Sequence, residues 1–182
     1  MDRRQHEERR LSVIACGAGP APEVRKLISL AQQDGWKVQI VATPAAIKFL
    51  DLEALERQCG SQVRSNYGQA REGARSSDSH ALIMAPATYN SINKLAAGIS
   101  DTYALNVAAE AIGRGVRTVI LPFVNSALAG RLPFKRSVES LREEGVEVLL
   151  GKGIWVPHPP GAGARLIRSF PWAKALQAVT LV

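Results

Sequence analysis

Five short apolar runs, at residues 11–16, 38–42, 81–85, 116–121 and 146–150, recur along the chain between stretches of helical periodicity. Residues 23–34 place Val24, Leu27, Ile28 and Ala31 on one helix face and stop at Gly35. A short helix is expected at 45–50. Two more are expected at 92–97 and 102–114, the second ending before Gly115. Residues 134–144 turn Val138 and Leu141 inward and stop at Gly145, and 172–179 can form a last helix. The apolar runs are nearly continuous rather than alternating, as in strands buried on both faces of a parallel sheet. Strand–helix alternation with right-handed crossovers predicts an α/β fold, a Rossmann-like doubly wound parallel sheet sandwiched by helices. One domain over residues 11–182 is expected to follow a charged tail at 1–10. Residues 60–79, polar and rich in Gly and Ser, read as a mobile surface loop or flap, and 151–165 as a second loop rich in Pro and Gly.

Composition narrows the class. A chain of 182 residues with 46% apolar content suits a single domain with a sizeable core. No run is long enough to span a bilayer. The charged start, MDRRQHEERR, is not followed by an apolar signal core, so a cytoplasmic location is expected. Cys16 and Cys59 are far apart and form no Cys-x-x-Cys, which supports neither a disulfide framework nor a metal site. Cys16, at the end of a strand, reads as a buried thiol. The net charge of +7 permits anionic ligands, but the basic residues are scattered and aromatics are only 5%, so no nucleic-acid partner is expected.

The densest chemistry lies at 81–106. An apolar strand ends in Ala85-Pro86-Ala87-Thr88, and Tyr89-Asn90-Ser91 opens a helix. Strand-to-helix turns are where α/β sheets bind ligands. Asn90 could donate to a ligand or form an Asx-turn. Lys94 could be a plain surface residue, and Asp101 is expected to cap the next helix. Two further turns of this kind follow strands. Gly17-Ala18-Gly19 leaves room for an anion near the backbone, or is an ordinary tight turn. In Thr43-Pro44 the hydroxyl could bind phosphate or cap its own helix. Asn125, just past the fourth strand, could touch a ligand or shape its loop. A dinucleotide site is disfavoured: Pro22 replaces the third glycine of the Gly-x-Gly pattern, and Ala42-Thr43 stands where an acidic residue is needed.

The order Pro86-Ala87-Thr88-Tyr89-Asn90-Ser91, then Lys94, Ala96, Gly98 and Asp101, resembles the core motif of the homo-oligomeric flavin-containing cysteine decarboxylases. Pro122 and Asn125 match that family's substrate clamp. The resemblance covers roughly 11–150. It implies FMN as cofactor, contacted by Gly17, Ala18, Gly19, Thr43, Ala87, Thr88, Asn90 and Ser91, with the phosphate at the 17–19 loop and Thr43. It also implies a small-molecule or peptide substrate with a cysteine-like group at Asn90 and Asn125, and a homotrimer or a dodecamer of trimers. Leu95, Ile99, Tyr103 and Phe123 could lie at such an interface or in the core.

Two departures bear on the reaction. Where the family carries a His, about thirteen residues before the motif turn, this chain has Glu72 beside Arg71; Val124, Leu128 and Ala129 replace Met, Met and Trp in the clamp. His6 lies in the tail, His80 reads as structural, and His158 stands in a loop that could fold over a site. Glu72 could act as a base in place of the missing His. The catalytic residues are therefore left open. The expectation is an FMN-dependent enzyme, decarboxylase-like or with other flavin chemistry. The alternative is a flavin-binding regulatory or partner subunit that does not decarboxylate.

Overall fold

The computed structural model describes residues 8–66, 68 and 78–180. Five parallel strands form one sheet in the order β2-β1-β3-β4-β5. They are β1 (Arg10–Ala15), β2 (Lys37–Ala42), β3 (Ala81–Ala87), β4 (Arg117–Pro122) and β5 (Glu147–Val148). The expected edge strand at 146–150 is thus only two residues long. Arg64 pairs with Val41 beyond β2 and extends that edge of the sheet. Every residue of β3 is buried, which accounts for its unbroken apolar run.

Helices cover both faces. Leu11, Val13 and Ala15 of β1 look toward α1 (Arg25–Gln33) and α8 (Trp172–Thr180), with Leu27, Ile28, Ala175 and Leu176 in the same cluster. Ile14 and Cys16 look the other way, toward α3 (Tyr89–Ala96), α4 (Tyr103–Gly113) and α6 (Leu132–Glu143). Phe134 of α6 is almost fully buried and stacks on Tyr89 of α3 at 5.5 Å between ring centroids. Such stacking adds to the burial of both rings. The doubly wound sandwich expected from the apolar pattern is the observed fold.

Several local expectations are corrected. The helix expected at 45–50 is a single 3-10 turn, Ile47–Phe49, whose N-cap is Ala46. Thr43 therefore caps nothing. An unexpected helix, α2 (Leu52–Cys59), follows it. The Asp51 carboxylate accepts from the Ala54 N–H at 3.0 Å, and Gly60 closes the helix at φ 65°. Asp101 is not the cap of α4. Thr102 takes that role, its hydroxyl accepting from the Leu105 N–H at 3.3 Å, and Asp101 instead pairs with Lys94. Short helices α5 (Ser126–Ala129) and α7 (Gly163–Leu166) complete the set. Leu95 and Tyr103 are core residues, whereas Ile99 is exposed. Half of the expected flap at 60–79, Glu72 and Arg71 included, lies outside the described residues, as does His6.

Candidate functional site

In a sheet of this order the winding reverses between β1 and β3, and ligands sit in the crevice outside the carboxyl ends of those strands. A cavity of about 340 Å³ opens there. Gly17 and the turn Thr43–Ala45 wall it on one side, Thr88, Asn90, Ser91 and Lys94 on another, and Thr102 and Leu105 on the third.

Each wall follows from local sequence. Gly17 brings the β1 loop against the β2 loop: a Cβ on it would lie 2.9 Å from the Ala45 carbonyl carbon and oxygen. Only a residue without a side chain permits that approach. Thr88 caps α3, its hydroxyl accepting from the Ser91 N–H at 3.2 Å and lying 3.0 Å from the Ser91 hydroxyl. Three residues at the N-terminus of α3, Thr88, Asn90 and Ser91, line the cavity, and the positive end of the helix dipole lies there. Asn90 is exposed and lines the cavity. Beneath this turn Cys16 is buried. Burial pushes its pKa up, partly offset by hydrogen bonds with the Ser91 side chain and the Thr88 backbone.

The Thr43 hydroxyl is the telling atom. Thr43 is 7% exposed, and its Oγ1 is buried without a hydrogen-bond partner. A buried hydroxyl left unpaired costs stability, and among the described residues that line the cavity Thr43 alone has such an atom. Asn93 Oδ1, Trp155 Nε1 and Trp172 Nε1 are also buried without partners, but none of these residues lines the cavity. An anion that accepts from Thr43 and from the α3 N-terminus fits the donor set present. The phosphate end of FMN has that character.

The structure brings Gly17, Thr43, Thr88, Asn90 and Ser91 together on this cavity; Ala18, Gly19, Ala87 and Asn125 do not line it. Ala87 is fully buried. Gly19 faces the other side of its loop, where an added Cβ would lie 3.3 Å from Phe123 and Ile167 side-chain carbons. Asn125 caps α5, its Oδ1 accepting from the Leu128 N–H at 2.9 Å. His158 is buried against Phe123 at 4.9 Å between centroids, with Nδ1 2.9 Å from the Pro159 carbonyl oxygen. His80 receives the Arg10 N–H on Nδ1 at 3.1 Å, at the amino end of the sheet and opposite the cavity. Thr102 and Leu105 were not anticipated as lining residues. The Thr of Asp101-Thr102, a good cap one residue before a helical run, is the signal for the first.

A family model described as Flavoprotein matches residues 1–166, and the chain belongs to the Flavoprotein family. Among curated proteins it is 26% identical over 106 residues to the coenzyme A biosynthesis bifunctional protein CoaBC of Borreliella burgdorferi. That alignment covers 56% of this chain but 26% of the relative, so the chain spans about a quarter of that protein's length. Two solved structures share the fold. The FMN-dependent cysteine decarboxylase SpaF has a TM-score of 0.71 at 24% identity, covering 94% of this chain and 97% of its own. The FMN-dependent cysteine decarboxylase TvaF from thioviridamide biosynthesis has a TM-score of 0.72 at 21% identity, covering 95% and 99%. Among the described residues no helix is long and apolar enough to cross a membrane, and no group of His, Cys, Asp or Glu could hold a metal ion.

Proposed function

We propose that the chain binds FMN in the crevice at the carboxyl ends of β1, β2 and β3 and acts as an FMN-dependent enzyme of the decarboxylase-like kind. The unpartnered Thr43 hydroxyl on the cavity wall carries this reading. Thr43 donates to the phosphate, the α3 N-terminus adds its free N–H groups, and Gly17 keeps the wall thin enough for close approach. Thr88 lines the crevice beside them, whereas Ala18, Gly19 and Ala87 stand outside the cavity, in the loop and strand end that carry its walls. Asn90 carries a carboxamide able to donate to a ligand carbonyl or carboxylate. Asn125, three residues beyond the end of β4, holds the adjoining loop where a substrate with a cysteine-like group docks. The flavin, when bound, supplies the oxidising chemistry that side chains lack. Assembly as a homotrimer, or as trimers of a larger shell, belongs to the same proposal.

A second reading, a flavin-binding partner subunit without decarboxylase activity, is favoured by one observation. Among the described residues lining the cavity the only ionisable side chain is Lys94, already bound to Asp101, so no general base stands there. Turnover of cysteine-terminated peptides separates the two readings.

Fluorescence titration of the flavin-free protein with FMN tests the binding site. Thr43→Val keeps the shape and removes the donor, and is expected to weaken FMN about tenfold. Equal affinity for both proteins would remove Thr43 from the site; no uptake by the wild type would overturn the proposal.

A further inference from the structure

Lys94 has no evident structural task that explains its place on the cavity wall. It stands three residues after Ser91 and four after Asn90, so all three share one face of α3. Among the described residues of the lining it contributes the only ionisable group, and its ammonium donates to the Asp101 carboxylate. The two side chains are 29% and 48% exposed, and an ion pair open to solvent adds little to stability. Its stem rises from the last turn of α3, and the residues that line the cavity with it include the caps of α3 and α4, Thr88 and Thr102. Thr43, buried and unpartnered, closes the same space.

We infer that Lys94 is the cationic contact for the cofactor phosphate, held until then by Asp101, and that its charge makes the site select FMN over unphosphorylated riboflavin. The inference rests on the FMN reading above. Two helix dipoles and a hydroxyl supply donors but no full charge, and a bound phosphate near neutral pH carries close to two. A lysine on a flexible stem can exchange one anionic partner for another without moving its helix. Asp101 and the phosphate compete for one ammonium. Removing Lys94 and removing the Asp101 charge therefore have opposite effects on FMN, although both break the same ion pair.

The experiment titrates flavin-free full-length protein with FMN and with riboflavin, followed by quenching of flavin fluorescence. Lys94→Gln is expected to weaken FMN about tenfold and leave riboflavin unchanged. Asp101→Asn is expected to tighten FMN about threefold, and Lys94→Arg, which keeps the charge, to retain most FMN affinity. If both pair-breaking variants weaken FMN and riboflavin alike, the pair merely ties α3 to α4 and the inference is overturned. An unchanged FMN-to-riboflavin ratio in Lys94→Gln also overturns it. Wild-type protein that binds neither flavin fails the FMN reading itself, a result distinct from both.

Discussion

Gly17→Ala is the sharpest structural perturbation of the site. Gly17 has no positive φ, so the alanine backbone is unstrained there, and the whole effect is steric. The new methyl would lie 2.9 Å from the Ala45 carbonyl carbon and oxygen and 3.0 Å from its Cβ. The obstacle is backbone on both sides, with no flexible side chain to swing away. Relief requires the β1 and β2 loops to part by about 0.5 Å or more to restore normal contact. Overpacking of this kind costs about 1–3 kcal/mol. In a domain of this size each kcal/mol lowers Tm by about 2–4 °C, so a fall of several degrees is expected by calorimetry or circular dichroism. Thr43 lies two residues before Ala45, so the same movement displaces its hydroxyl from the cavity and weakens FMN. Gly113→Ala is the control. It sits in α4 with nothing within 4 Å of its Cβ position. It should stabilise by up to about 1 kcal/mol through helix propensity. A Gly17→Ala protein with wild-type Tm and FMN affinity would refute the close-packed wall.

Three further outcomes follow from local chemistry. Asp51→Ala removes the cap of α2 and should cost about 1 kcal/mol in urea unfolding, whereas Asp51→Asn should recover most of it. Burial pushes the Cys59 thiol up from 9.0 to about 11, and the Cys16 thiol is raised as well. Above pH 9 the unfolded chain releases thiol protons that the native state retains, so stability falls as pH rises from 9 toward 11. Urea midpoints that stay level across that range, after correction by a Cys16→Ala, Cys59→Ala double variant, would contradict it. The same burial leaves about a hundredfold less Cys59 thiolate at pH 8 than a free thiol, so alkylation should be correspondingly slow.

Much of this molecule is legible in its sequence, for identifiable reasons. The strands β1 to β4 are found to within a residue or two because apolar residues fill both sheet faces, so each run stands out from the helical stretches around it. The helix α2 escaped because it buries only Ala54 and Leu55, too little for a helical apolar stripe. Its Asp51 cap and Gly60 stop were the available signals. Thr43-Pro44 misled in the opposite direction. Its residues suit a helix start, but the chain makes three turn residues there and then one 3-10 turn, which leaves the hydroxyl unpaired. The motif from Pro86 to Asp101 located the β3–α3 turn. It could not show that Thr102 and Leu105 close the cavity, because that depends on how α4 folds back along α3. Nor could sequence decide between ligand contact and loop shaping at Asn125; its side chain is engaged in capping α5.

The central claim is that this crevice holds FMN. The direct measurement is the visible absorption spectrum of the purified protein, followed by mass identification of any small molecule released on denaturation. Bands of oxidised flavin, with FMN as the released species, are the predicted result. A colourless protein that takes up no added FMN would contradict the account and leave the Thr43 cavity to another anion.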